Sequence, residues 1–258
     1  MNISSVIPGA EAFHIPGNSI GILLCHGFVG TPQSVEYIGK KFAAKGYTVR
    51  APRLTGHGTN PYDFETATYY DWISDLEANY YALKKTCSEI YVAGQSMGGL
   101  LALVLASKIK DIAGIITINV AYEVPGYEKY KNRVSPRFLE ESAPDMKAEG
   151  VHEITYPVVP ITAIKELLRL KQYTKSVIQD VECPVLLFHS TIDNVVPPAC
   201  TMDVFDEVRS THKEIIELKN SYHVASMDFD RDNIVNDADL FIRKVSSIRA
   251  NIATINSI

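Results

Sequence analysis

Two rhythms alternate along this chain: short continuous apolar runs, and longer stretches in which apolar positions recur with a helical period. Ser19-Ile20-Gly21-Ile22-Leu23-Leu24-Cys25 is the first apolar run and reads as a buried strand. Residues 34–45 follow as an amphipathic helix that stops at Gly46. Tyr47-Thr48-Val49-Arg50-Ala51 is the next strand. Residues 71–85 read as a helix with Asp71 at its N-cap and Trp72, Ile73, Leu76 and Leu83 among its apolar positions. Glu89-Ile90-Tyr91-Val92-Ala93 is short, β-branched and aromatic, whereas residues 100–106 are nearly all apolar and good helix formers. Further strands are read at 114–119, 184–189 and 213–218, and a closing helix over 232–245. Continuous apolar strands separated by helices predict an α/β fold, a mainly parallel sheet with helices on both faces. In such sheets the functional residues lie on loops at the carboxyl ends of the strands.

The rhythm breaks between residues 122 and 178. This stretch holds five prolines and many charges, has no strand of comparable quality, and contains one amphipathic helix over 161–172. It enters and leaves between two sheet strands. A compact domain seldom carries a structureless loop of that length. The segment therefore reads as a small helical cap inserted within a single domain spanning 1–258.

Candidate chemistry centres on Gly94-Gln95-Ser96-Met97-Gly98, which lies between a strand pattern and a helix pattern. G-x-S-x-G in that setting is a nucleophile elbow: the turn is so tight that side chains two before and two after the serine would clash. The strained backbone pushes the Ser96 hydroxyl out beside a helix N-terminus. A nucleophilic serine needs a base, and the base an orienting carboxylate. His223 follows the last strand in Asn220-Ser221-Tyr222-His223-Val224, and Asp193 follows the preceding one in Ser190-Thr191-Ile192-Asp193. Both emerge at the sheet's carboxyl edge, in the chain order Ser, Asp, His that such a fold uses. The oxyanion needs two backbone N–H groups. Met97, next after the serine, supplies one. Phe28 supplies the other from His26-Gly27-Phe28-Val29-Gly30, where Gly27 lets the backbone approach the substrate. His57, in Gly56-His57-Gly58, reads as a backbone brace, and His189 as a strand end. His14, His152 and His212 have no supporting context. Asp203 and Asp206 lie in a helix after Pro198 and read as solvated.

The net charge of −5 comes without any block of Lys and Arg, so nothing favours a nucleic acid or an anionic membrane surface as partner. The seven His form no metal-ligand pair, and the chemistry above requires neither metal nor cofactor. Met1-Asn2-Ile3-Ser4-Ser5-Val6-Ile7-Pro8-Gly9 lacks the basic and apolar regions of a signal peptide, and no run approaches the length of a transmembrane helix. The four cysteines lie far apart and read as reduced, which makes the cytoplasm the expected compartment. Monomer and homodimer both remain open.

These residues resemble the α/β-hydrolase superfamily, and within it the bacterial monoacylglycerol lipase and carboxylesterase family. The resemblance spans most of the chain. It is carried by Gly9-Ala10-Glu11, His26-Gly27-Phe28-Val29-Gly30-Thr31-Pro32, Pro52-Arg53-Leu54 with Gly56-His57-Gly58-Thr59, the elbow, Val195-Val196-Pro197-Pro198, and Asn220-Ser221-Tyr222-His223-Val224-Ala225. It implies a Ser96, Asp193, His223 triad, an oxyanion hole at Phe28 and Met97, and no cofactor. It also implies a small ester substrate, monoacylglycerol cleaved to glycerol and a fatty acid. A cap glutamate holds a glycerol hydroxyl in that family, and Glu153 matches it. A short-chain or feruloyl-type carboxylesterase, and a non-catalytic binding protein on the same fold, are the alternatives. Two departures stand out: Gln95 replaces the apolar residue expected before the serine, and the cap around Tyr156-Pro157-Val158-Val159-Pro160 differs in detail.

Overall fold

The computed structural model describes residues 4–255, so Met1, Asn2 and Ile3 of the segment read for a targeting signal lie outside the described residues. In chain order the elements are β1 (Phe13–Ile15), β2 (Ile20–Cys25), α1 (Gln33–Ala44), β3 (Thr48–Ala51), α2 (Pro61–Thr66), α3 (Tyr69–Lys84), β4 (Glu89–Gln95), α4 (Met97–Lys108) and β5 (Gly114–Ile118). The chain continues with α5 (Pro125–Glu128), β6 (Phe138–Glu140), β7 (Val158–Pro160), α6 (Ile161–Val177), β8 (Val185–Ser190), α7 (Ala199–Glu207), β9 (Lys213–Leu218) and α8 (Arg231–Ile255). Seven strands form one sheet in the order β1-β3-β2-β4-β5-β8-β9, in which only β1 runs antiparallel to its neighbour. This is the mainly parallel sheet that the apolar runs predict.

Both faces of the central strands are apolar because their side chains alternate between two buried layers. Leu23, Val92, Ile115 and Leu187 pack on one side with α3, α4 and α6. Ile22, Tyr91, Ile116 and Leu186 pack on the other with α1 and α8. Helix α4 is buried from Met97 to Ala106, enclosed by the sheet and by α3 and α6, which explains why that stretch is apolar all round.

Several local expectations change. Asp71 is not the N-cap of α3. Thr68 is, and Asp71 sits at the third helical position, where its carboxylate accepts from the Thr68 N–H as the Thr68 hydroxyl accepts from the Asp71 N–H. Helix α6 continues past residue 172 to Val177, with Thr174 buried, and α8 continues past 245 to Ile255. Strand β1 and helix α2 are additions, each too short to show a period. The chain between β5 and β8 holds α5, α6 and a separate antiparallel pair of three-residue strands, β6 and β7.

Parallel strands bring β2, β4, β5, β8 and β9 to end at one edge. At the end of β4 the chain turns through Ser96 with φ 55° and ψ −115°. Gly94 and Gly98 make that turn possible: a Cβ on Gly94 would lie 2.1 Å from the Gly98 carbonyl carbon, and one on Gly98 would lie 2.4 Å from the Cys25 oxygen. Gly98→Ala should therefore destabilise the fold by at least about 3 kcal/mol, since neither backbone can retreat. Gly126→Ala, with no atom within 4 Å of the new Cβ, should change stability by no more than about 0.5 kcal/mol. Urea midpoints for the two variants test this, and equal midpoints would remove the steric account of the elbow.

Candidate active site

Three loops at the carboxyl edge place Ser96, Asp193 and His223 in hydrogen-bonding contact. The Ser96 Oγ lies 2.9 Å from His223 Nε2, and His223 Nδ1 lies 2.8 Å from Asp193 Oδ2. The carboxylate has no proton to give, so Nδ1 carries the hydrogen and Nε2 is left to accept from the serine hydroxyl. The other oxygen of Asp193 accepts the Val195 and Val196 N–H groups at 2.9 and 2.7 Å, which orients the carboxylate. All three side chains are buried or nearly so. This arrangement is suited to deprotonating a hydroxyl in a site shielded from water.

Neither the Phe28 nor the Met97 amide has an acceptor among the described residues; Met97 directly follows Ser96, and Phe28 lines the same cavity as Ser96. Register accounts for their proximity, because β2 lies beside β4 with Cys25 opposite Gly94, so the loop after β2 begins next to the elbow. Two histidines hold that loop. His26 Nε2 accepts the Leu54 N–H, which leaves Nδ1 to donate to the Gly27 carbonyl at 2.9 Å. Gly27 C=O and Phe28 N–H belong to one planar peptide, so fixing the carbonyl also fixes the direction of the N–H. His57 Nε2 lies 2.6 Å from the Phe28 carbonyl oxygen, in keeping with the bracing read from its sequence context. Burial holds both rings neutral, His26 well below the ordinary histidine range and His57 at about 4.

A cavity of about 390 Å³ opens onto Ser96 and His223. Its apolar wall includes Phe28, Val124, Tyr127, Leu139, Val159 and Leu167, mostly from the segment between β5 and β8. Glu153 faces the same cavity and is 6% exposed. The backbone on either side of it is held by Gln33, which donates to the His152 carbonyl at 2.8 Å and accepts from the Ile154 N–H at 3.1 Å. The Glu153 carboxylate itself has no hydrogen-bond donor among the described residues. Burial pushes its carboxyl up to about 7; Glu141 raises it further while His223 opposes the shift. His14, His152, His189 and His212 do not line the cavity. Tyr127, Glu141, Asp145 and Asn194 do, and sequence reasoning did not single them out, since no local pattern marks residues brought in by a distant loop. Among the described residues no cluster of candidate metal ligands occurs and no helix is long and apolar enough to cross a membrane.

Residues 19–230 match the family described as serine aminopeptidase, S33. The chain is 41% identical over 241 residues to a thermostable monoacylglycerol lipase of Bacillus sp. (strain H-257), covering 93% of this chain and 96% of that protein. It is 25% identical over 241 residues to a carboxylesterase of Bacillus subtilis (strain 168), covering 91% and 97%. A solved structure from the metagenome-derived lipolytic enzymes LipS and LipT superimposes with a TM-score of 0.90 at 40% identity, covering 93% of this chain and 100% of that one. The architecture is thus the α/β-hydrolase fold.

The raised carboxyl has a consequence for stability. Between pH 4.5, the ordinary value, and about 7, the folded protein holds a proton on Glu153 that the unfolded chain has released. Stability from this group therefore falls as pH rises through that window, by roughly 3 kcal/mol in all. Glu153→Gln, which cannot ionise, should gain on the native protein by that amount between pH 5 and pH 8 in urea unfolding. A difference that stays constant with pH would show that the carboxyl is not held protonated.

Proposed function

We propose that this chain, which belongs to the serine aminopeptidase, S33 family and hydrolyses carboxylic esters, takes monoacylglycerols as substrate and cleaves them through an acyl-enzyme on Ser96. The observation that carries the glycerol reading is Glu153, a buried carboxylate without a donor in the protein, facing the cavity beside the nucleophile. A glycerol hydroxyl supplies the missing donor. The name of the Bacillus sp. relative, a monoacylglycerol lipase, supports the same reading.

In this proposal His223 takes the Ser96 proton as the oxygen attacks the ester carbonyl, and Asp193 stabilises the imidazolium that forms. The N–H groups of Phe28 and Met97 receive the developing oxyanion. His223 then returns the proton to the departing glycerol, and water hydrolyses the acyl-enzyme by the same route. Residues 122–178 act as a cap over a single domain of 1–258, and their apolar wall lodges the acyl chain. The four cysteines are free thiols, which supports a cytoplasmic setting.

Ser96→Ala should lower kcat by roughly 10⁶ with the fold intact, and Asp193→Asn by about 10⁴ through the wrong imidazole tautomer. Steady-state rates with circular dichroism as the folding control test both; near-full activity in Asp193→Asn would mean that another carboxylate orients the base.

Glu153→Leu separates glycerol recognition from general cap damage. At pH 8, where the Glu153 carboxyl is ionised, a charge-assisted hydrogen bond contributes about 1.5–3 kcal/mol, so kcat/KM for monoacylglycerols should fall roughly 10- to 100-fold. A fatty ester of equal chain length whose alcohol carries no hydroxyl should be barely affected. Equal losses on both substrates would leave Glu153 a structural residue.

A further inference from the structure

The histidine assigned as base stands in a loop with no sheet or helix ladder to hold its peptide groups. Side chains hold them instead. The His223 N–H donates to Asp145 Oδ2 at 3.2 Å. Its carbonyl oxygen accepts from Gln95 Nε2 at 2.7 Å and from Asn119 Nδ2 at 2.8 Å. Each of the three comes from a different part of the site. Gln95 immediately precedes Ser96, so its bond ties the base directly to the nucleophile's own turn. Asn119 directly follows β5 in the left-handed region, φ 47°, and its side-chain carbonyl accepts the Ser190 N–H at 2.7 Å. Asp145 comes from the segment between β5 and β8. Its carboxylate also accepts the Asn194 N–H at 3.0 Å and the Asn194 amide at 2.7 Å, and its backbone carbonyl accepts the Val224 N–H at 3.0 Å. Asn194 directly follows Asp193. One carboxylate therefore joins the loop carrying the acid to the loop carrying the base.

We propose that Gln95, Asn119 and Asp145 are positioning residues that aim His223 at Ser96 by clamping both peptide groups of the base. The proposal rests on the Ser96, Asp193, His223 reading above and adds to it. Gln95 is then more than a departure from an apolar pattern, because an apolar side chain there could not donate to the His223 carbonyl. The physical reason for a clamp is that proton transfer from Ser96 falls steeply with small errors in distance and angle; a displacement of about 1 Å can lower the rate about 10²-fold. Asp193 fixes only the ring's tilt. The main chain fixes where the ring is attached.

The test measures the rate of inactivation by a fluorophosphonate, and kcat and KM on a soluble p-nitrophenyl butyrate, in Gln95→Leu, Asp145→Ala, Asp145→Asn and Glu65→Ala. Glu65 binds Arg137 and so tethers the inserted segment, and neither residue lines the cavity. Gln95→Leu and Asp145→Ala should be inactivated roughly 10- to 100-fold more slowly, with kcat falling in step and KM within about threefold. Asp145→Asn should stay within about fivefold of the native protein, because one amide oxygen can accept both N–H groups that Oδ2 accepts and the Asn194 amide can turn to match. Glu65→Ala should match the native protein. In Gln95→Leu the acidic limb of kcat/KM should also move to lower pH, since a misaligned Asp193 stabilises the imidazolium less. The titratable groups facing His223 are Asp193, Asp145 and Glu153, and that substitution leaves all three in place. Native inactivation rates in Gln95→Leu and Asp145→Ala would overturn the clamp, as would an Asp145→Asn loss equal to that of alanine or an unmoved acidic limb. Should Asp145→Ala fail to fold, the Gln95→Leu inactivation rate alone supports or overturns the clamp. Absence of fluorophosphonate labelling at Ser96 in the native protein would instead overturn the triad reading itself.

Discussion

The φ of 55° and ψ of −115° at Ser96 are held by backbone packed directly on backbone. Gly94 meets Gly98 across the turn, and Gly98 meets the end of β2 at Cys25, with no room for a Cβ at either place. That closeness has three consequences. It turns the chain into α4 at once, so the Met97 N–H stands unpaired at a helix N-terminus beside the serine oxygen. It brings the loop after β2 against the elbow, with Gly27 beside Ser96. It also leaves the serine hydroxyl facing outward, 2.9 Å from an imidazole delivered by a strand three positions away in the sheet. A wider turn would lose all three together.

Around that turn the protein keeps polar groups where burial works against them. His26 and His57 stay neutral under the oxyanion loop, each hydrogen-bonded to backbone. A neutral imidazole can donate to a buried carbonyl without bringing a charge into the interior. Glu153 differs: its carboxyl is buried without a protein donor. Its ionised form is disfavoured by burial, and among the described residues the carboxyl is the one of the three groups that the fold leaves without a hydrogen-bonding partner.

Much of this was legible in the sequence wherever the signal is local. The inner strands β2, β4, β5 and β8 announce themselves because nearly every residue of each is buried, which leaves few polar gaps in the run. The elbow is legible because Gly94 answers to sterics within five residues, although Gly98 answers to Cys25, 73 residues earlier. The positions of Asp193 and His223 follow from strand order alone. Local capping was harder: Asp71 and Thr68 both suit an N-cap, and only the paired hydrogen bonds decide for Thr68. Strand β1 pairs through three residues at a sheet edge, too few to show alternation. Asp145 was illegible for another reason. Its role depends on meeting Asn194 and His223, 49 and 78 residues away, and its own neighbourhood of Pro144 and Met146 carries no trace of either. Gln95 was visible as an anomaly, and its partner was not.

The segment between β5 and β8 is bound to the sheet's carboxyl edge along its length, and this bears on how pocket and chemistry relate. Tyr156 donates to the Gly56 carbonyl and accepts the Thr59 N–H, next to the His57 brace. Gln33 grips the backbone on both sides of Glu153. Asp228, which is 1% exposed, accepts the Lys147 and Ala148 N–H groups from the segment and the Tyr222 N–H from the loop of the base. Asp145 reaches the same loop from the opposite side. Losing the Asp228 carboxylate would leave N–H groups without their acceptor both in the segment and in the loop of His223. The segment that shapes the pocket wall is consequently part of the frame that holds the base. A substitution that reshapes the wall near Asp145 acts on substrate fit and on proton transfer together, whereas one near Leu139 or Leu167 acts on fit alone.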